Sequence, residues 1–299
     1  MRELEEARSS MPSDTTLFEL LMTRERTLTT DSEVEVHDAD VDMDAGVNVM
    51  SDHRHVLRPP MSAEMLATVR DAWSMQGRKD ELLVAKTEVT RHSMRKLRHQ
   101  CGCIEACKCR WLDDIIVDRY LKLLMQRSEA TTALPSVLCL TTFFYSNLMN
   151  KDKDRASPPW MSRIRLFDRD MIMIPMLTTI TTHGKKVNHW CLSTVDFRRK
   201  EIKYYDPYHG ESSPTFMSRL WSYLDKASQQ QRGHPLNFEQ WTATTPQSNP
   251  TQTNNFDCGV FMCVTAEYLS RDADLSFTQG DMGYYRQSIS HQILTGAVN

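Results

Sequence analysis

The sequence predicts an α+β protein, with a sheet drawn from its middle and helices on both sides. Three observations lead there. Apolar residues recur at helical spacing in long stretches toward both ends of the chain. Between them lie short apolar or alternating runs, bounded by Pro, Asp, Asn and Gly, that read as strands. Strands gathered in the middle with helices at both ends argue against an alternating parallel fold.

Taken in order, residues 1–60 read as an extension. "TLFELLMTRERTL" (16–28) has the pattern of a short amphipathic helix, but "DSEVEVHDADVDMDAG" (31–46) is acidic and free of aromatics. Such a segment buries too little apolar surface to offset chain entropy. Its "EVEVHDADVD" core alternates apolar and acidic residues, as strands that add to a partner sheet do, yet it lacks a compact aliphatic run and fits an acidic linker better. "RPP" (58–60) marks a hinge. Residues 61–86 form a helical linker, opened by "MSAEMLATVRDAWSMQ", and "RHSMRKL" (91–97) continues the helical pattern. The longer stretch "RHSMRKLRH" is basic enough for a localisation patch, although the polar face of a helix explains it more simply.

"WLDDIIVDRYLKLLMQRS" (111–128) carries a helical stripe through Leu112, Ile115, Ile116, Tyr120, Leu123 and Leu124. "VLCLTTFFYSNLM" (137–149) begins as a buried strand and ends as a helix, and "DMIMIPM" (170–176) is a strand in which Pro175 predicts an end or an edge. "HWCLSTV" and "IKYYDPY" add two strands, "FMSRLWSYLDKAS" an amphipathic helix and "LNFEQWTAT" (236–244) a further strand. "CGVFMCVTAEYLS" (258–270) and "DMGYYRQSISHQIL" (281–294) supply the closing helices.

The bulk numbers bound the function. A chain of 299 residues with 40 % hydrophobic and 25 % charged residues accommodates one large domain plus an extension. The net charge of −3 points to neither nucleic acid nor a membrane surface, and residues 1–60 hold 14 Asp/Glu against 6 Lys/Arg, which leaves the remainder mildly basic. No run reaches the roughly 18 apolar residues of a membrane span. The charged "MRELEEARSS" lacks a signal-peptide core, so an intracellular, reducing compartment is expected, where disulfides are rare. The eight cysteines then call for packing, metal or catalysis.

Catalysis has a candidate geometry. If "HWCLSTVDFRRKEIKYYDPY" is a hairpin centred between Phe197 and Arg198, His189 and Asp206 lie opposite each other, with Cβ atoms about 5 Å apart. A carboxylate there fixes the imidazole's tautomer and stabilises its charged form. Cys258 stands at the mouth of a helix in "QTNNFDCGVFMC", and a helix N-terminus favours the thiolate, the nucleophilic form. Val260, Phe261 and Val264 would anchor that helix, and Gly259 would permit close approach of substrate or backbone. Gln252, on the polar loop before the helix, could donate its amide to an oxyanion. Cys139, Cys191 and Cys263 fit buried structural positions. Nucleophile, base, orienter and oxyanion donor are thus all present.

These stretches together resemble the Ulp/SENP family, cysteine proteases that process SUMO and related ubiquitin-like proteins. The likeness covers about residues 87–299: "EVTRHSMRKL" is similar to the family's opening segment, "WLDDIIVDRYLKLL" to its Trp-Leu-Asn-Asp helix, "TTFFYSNL" to its Phe-Phe segment and "FDRDMIMIPM" to the strand before its histidine. "DMGYYRQSISHQILTG" resembles the closing helix, and the order His, Asp, Gln, Cys is the family's. The resemblance implies a papain-like cysteine protease fold with a central mixed or antiparallel sheet flanked by helices. It implies Cys258 as nucleophile, His189 as general base and acid, Asp206 as orienter and Gln252 as oxyanion donor beside the Cys258 N–H. Trp111, Trp190 and Asp114 would bind substrate, the tryptophans as a narrow tunnel over a Gly-Gly terminus, where any Cβ would clash. The implied reaction is cleavage after the C-terminal Gly-Gly of SUMO, as precursor maturation or as release from lysine. No cofactor is expected, and the partners would be SUMO-like proteins and their conjugates rather than nucleic acid or membrane, with the chain a monomer in the nucleus or cytoplasm. A protease for another modifier such as NEDD8 and a silent modifier-binding module are the alternatives, though the intact Cys, His, Asp and Gln argue against silence.

Three positions depart from the family. Asn254-Asn255-Phe256 replaces its Asn-Gly, and because Asn tolerates positive φ the turn is expected to survive. Pro207 stands where Ser is frequent, and Asp113 replaces Asn, adding charge to the substrate-facing helix. A further feature is an insertion over 99–110, in which "CGCIEACKC" places Cys101, Cys103, Cys107 and Cys109 within nine residues. Four thiolates satisfy tetrahedral zinc, with His99 as a substitute, but Cys-x-Cys is not the usual Cys-x2-Cys knuckle and no second half-site follows. A thiol-bearing loop near the substrate entrance is the simpler reading, and a zinc-dependent interaction protein would leave the C-terminal residues unexplained.

Overall fold

The computed structural model describes residues 59–85, 87–98, 108–150, 165–182, 184–246 and 248–298. The expectations for 16–28 and 31–46, and those for His99, Cys101, Cys103 and Cys107, lie outside the described residues.

Helix α1 (Ala63–Trp73) starts at Ser62, whose hydroxyl accepts the Met65 N–H, and α2 (Arg91–Arg95) starts at Thr90, which accepts the Ser93 N–H. After a 3-10 turn at 108–110 comes α3 (Asp114–Ala130). Strand β1 (Val137–Cys139), helix α4 (Phe143–Met149) and strands β2 (Met171–Thr182), β3 (Lys185–Asp196) and β4 (Glu201–Tyr205) follow. Helix α5 (Pro214–Arg232) ends on Gly233, whose φ of 78° suits a left-handed cap. Strand β5 (Thr242–Thr244) and helices α6 (Cys258–Leu269) and α7 (Met282–Thr295) complete the chain.

The five strands form one mixed sheet in the order β1-β2-β3-β4-β5. The inner pairs β2–β3 and β3–β4 are antiparallel, and the outer pairs β1–β2 and β4–β5 are parallel. Both faces are covered. Met171, Met173 and Leu192 pack toward α3, α6 and α7, whereas Ile172, Ile174 and Val195 pack toward α4 and α5. A strand buried on both sides needs apolar residues at every position, which is why "MIMI" shows no alternation. Beneath Cys258, Val260, Phe261 and Val264 are almost completely buried, each contributing roughly 1.5–3 kcal/mol.

Three local expectations are revised. Strand β2 runs through Pro175, which does not end it; Pro175 lies beyond the three residues that pair with β1, where a missing N–H costs no ladder bond on that side. "LNFEQWTAT" is a 3-10 turn at 238–240 and only then a strand. The Asn237 side chain accepts the Glu239 N–H there, and Trp241 wedges edge-on against Trp221 and Phe197. Finally, the β3–β4 hairpin pairs Asp196 with Glu201 and Leu192 with Tyr205, a register two residues from the one predicted. Asp196 accepts the N–H groups of Arg198 and Arg199, and Lys200 takes φ 55°, so the turn spans 197–200.

The basic stretch is used internally: Arg91 pairs with Glu81 at 2.7 Å, and Arg95 donates to the Ser74 carbonyl. Helix α1 docks on α7, with Trp73 Nε1 donating to Ser290 Oγ (3.0 Å). Among the described residues no helix is long and apolar enough to cross a membrane.

Candidate active site

His189 lies on β3 just beyond its ladder with β4, and Asp206 follows the last residue of β4. The observed register aims His189 toward Tyr208 rather than Asp206. Because side chains alternate with period two, a shift of two residues leaves His189 and Asp206 on the same face. They meet diagonally: Nε2 of His189 is 2.7 Å from Asp206 Oδ1, and the residues are 1 % and 3 % exposed.

Several groups hold the carboxylate. The Tyr208 N–H donates to Oδ1 (2.7 Å), and the Asn249 amide donates to the Asp206 carbonyl (2.8 Å). Gly210 leaves space, since a Cβ there would lie 2.5 Å from Oδ2. Burial alone would raise the Asp206 pKa, but the hydrogen bonds from His189 and Tyr208 hold it below the usual carboxylate range. For His189, burial works downward and is outweighed by Asp206, Cys191 and Cys258, so the imidazole is raised above its ordinary value. Each member of the pair thus favours the charged form of the other. Cys191, read as a packing residue, is buried against both groups, and burial raises its thiol.

Cys258 is the first residue of α6 and is 6 % exposed. Gly259 is required beside it by packing within the protein: a Cβ there would come within 3.0 Å of Leu112 Cβ and 3.1 Å of Trp190 Cδ1. Trp190 is fixed by its indole N–H, which donates to the Leu112 carbonyl (3.0 Å). Trp111, Trp190, Asp114 and Cys258 line one cavity of about 460 Å³, with exposed Phe143 and Leu177 at its border. Asp113 is the N-cap of α3, accepting the Ile116 N–H, and pairs with Lys96 at 3.3 Å, so this extra charge is locally neutralised.

Gln252 is buried on the loop before α6, and its backbone N–H donates to the Pro207 carbonyl (2.8 Å). That bond needs only the carbonyl of residue 207, which proline supplies as well as serine. The Gln252 side-chain amide donates to the Asn254 carbonyl (2.6 Å). Neither Asn254 nor Asn255 adopts positive φ. The turn is instead held by Asn254 Oδ1, which accepts the N–H groups of Phe256 and Asp257.

Sequence reasoning missed the ion pair behind the nucleophile. Asp257 and Arg286 are fully buried, 2.6 Å apart, and Arg286 also donates to the carbonyls of Lys96, Arg110 and Phe256. A signal existed: Arg286 falls on the stripe of Met282, Tyr285, Ile289 and Ile293, where a cation must have a buried partner. Of the cysteine cluster, Cys109 is described, half-buried in the turn before Trp111. Among the described residues, the His, Cys and acidic ligand atoms that gather closely are those of His189, Cys191 and Asp206.

Residues 110–298 match the family model described as the Ulp1 protease family, C-terminal catalytic domain. The chain is 34 % identical over 202 residues to sentrin-specific protease 2 of Rattus norvegicus, an alignment covering 67 % of this chain and 32 % of that one. It is 31 % identical over 185 residues to a sentrin-specific protease of Caenorhabditis elegans, covering 62 % and 25 %. The chain thus spans a third or less of the length of these relatives. Among solved structures, the C-terminal Ulp1 protease domain in complex with Smt3, the yeast ortholog of SUMO, superposes with a TM-score of 0.60 at 25 % identity, covering 81 % of this chain and 98 % of that one.

Proposed function

The chain belongs to the Ulp1 protease family, and from that premise we propose that it is a thiol peptidase cleaving after the C-terminal Gly-Gly of a SUMO-like protein. The observation that carries this reading is the buried His189–Asp206 pair, 2.7 Å apart, beside a cysteine that opens a helix at one end of a tryptophan-lined cavity. The relative solved with Smt3 supports the choice of modifier.

Asp206 occupies Nε2 of His189, which leaves Nδ1 to exchange a proton with Cys258. The Cys258 sulfur attacks the terminal glycine carbonyl, and the oxyanion is met by the Cys258 N–H and by the Gln252 amide, released from Asn254. His189 protonates the departing amine, either an α-amine or a lysine ε-amine, and a thioester forms. A water, deprotonated by His189, hydrolyses the thioester and returns the thiol. Trp111 and Trp190 admit a strand without Cβ atoms, and Asp114 meets a cationic group of the modifier.

Residues 87–299 form the protease domain, the segment 61–86 packs on it through α1, the acidic extension over 1–60 precedes both, and the enzyme acts in the nucleus or cytoplasm. The decisive experiment incubates the chain with C-terminally reactive SUMO, ubiquitin and NEDD8 probes beside Cys258→Ala. Labelling by SUMO that is lost in the variant is expected. Labelling of none, or equal labelling of the variant, would overturn the catalytic reading, and selective labelling by NEDD8 would replace the modifier.

A further inference from the structure

Tyr208 closes the "IKYYDPY" stretch with no role assigned to it by the sequence, yet it touches three working parts of the site. Its backbone N–H donates to Asp206 Oδ1 (2.7 Å). Its ring lies on the His189 imidazole, with centroids 5.0 Å apart and planes 24° from parallel. Its hydroxyl donates to the Asn254 carbonyl, the same oxygen that accepts the Gln252 amide. The residue is nonetheless 40 % exposed, so burial of apolar surface is a minor part of its role.

We propose that Tyr208 is the positioning residue of this site, a single side chain that sets both the plane of His189 and the loop holding Gln252. The inference rests on the peptidase reading above. An imidazole tethered at Nε2 alone can tilt about that hydrogen bond, and each tilt moves Nδ1 away from Cys258. A flat ring on one face removes that freedom, and its π-face favours the charged imidazole. At the other end, the Asn254 carbonyl has two lone pairs, one for the Tyr208 hydroxyl and one for the Gln252 amide. The hydroxyl therefore pins the acceptor from which the oxyanion donor departs and to which it returns. The ionisable groups facing His189 are Asp206, Cys191 on the same strand, Cys258 on α6 and Tyr208 itself.

Two variants separate the functions of ring and hydroxyl. Tyr208→Phe keeps the stack and should lower kcat about fivefold with KM unchanged, the loss of one hydrogen bond. Tyr208→Ala should lower kcat by more than tenfold. It should also move the His189 titration, followed by NMR in the Cys258→Ala background, down by about half a pH unit. Wild-type kcat in both variants, or a rise in KM alone, would overturn the proposal. So would a fall in thermal stability with kcat intact below the transition. An unmoved His189 titration in Tyr208→Ala would overturn it as well. That titration needs no turnover, so a chain inert toward every probe would refute the peptidase reading and still leave Tyr208 to be judged.

Discussion

Asp206 and Asp257 are both buried next to the candidate nucleophile, but they face partners of opposite kind. Asp206 binds the edge of an imidazole that can lose its charge, and one face of that ring touches a half-exposed tyrosine. Asp257 binds a guanidinium that keeps its charge, and its second oxygen accepts the amides of Asn254 and Gln279. Arg286 in turn ties together three carbonyls from distant parts of the chain. Burial pulls that guanidinium below its ordinary value even with Asp257 beside it, a sign of how costly its desolvation is. One pair is built so that a proton can move, the other so that a loop cannot.

Asp206→Asn gives the largest expected effect. Losing the carboxylate that fixes the imidazole should lower kcat by about 10³–10⁴, with a loss of stability smaller than that of the Arg286 variant below. An equal loss of stability would erase the distinction between the two pairs. Arg286→Met comes next, measured by denaturant titration. Breaking a buried pair should cost about 3–5 kcal/mol, and Asp257→Leu in the same chain should restore much of it. A single variant as stable as wild type would show that the hub holds nothing.

The smallest effect is in pH dependence. The folded pKa of His189 is raised, so its contribution to stability is complete below the unfolded value of about 6.5 and declines as pH rises above it. That of Asp206 is depressed, so its contribution is complete above about 3.9 and is lost as pH falls further. The stability gap between wild type and His189→Gln should therefore be widest between about pH 4 and 6.5 and narrow on going to pH 9. The gap for Arg286→Met should stay flat from pH 6 to 9, because the guanidinium remains protonated there. Parallel curves for the two variants would remove the contrast.

The two pairs also differ in how far the sequence discloses them. His189 and Asp206 share one hairpin, so reflection about a turn brings them together, and even a centre misplaced by one residue, which shifts the register by two, selects the right partners. The misplacement has a cause that hairpin symmetry alone omits: the Asp196 side chain caps two backbone N–H groups of the turn, which lies at 197–200. Asp257 and Arg286 are 29 residues apart on different elements, and no local periodicity joins them. The helices at 114–130, 258–269 and 282–295 were legible from their apolar spacing. The extent of β5 was not, because Trp241 and Asn237 override the strand propensity of their neighbours.

The hairpin's arithmetic has a consequence for how such a site can vary among descendants of this chain. Sliding β4 along β3 by two residues changes the partner opposite every position yet keeps His189 and Asp206 on one side of the sheet. Sliding by one residue sends one of them to the other side. The turn at 197–200 is thus open to drift in even steps and closed to odd ones, a parity rule written into the backbone and indifferent to which residues occupy the turn.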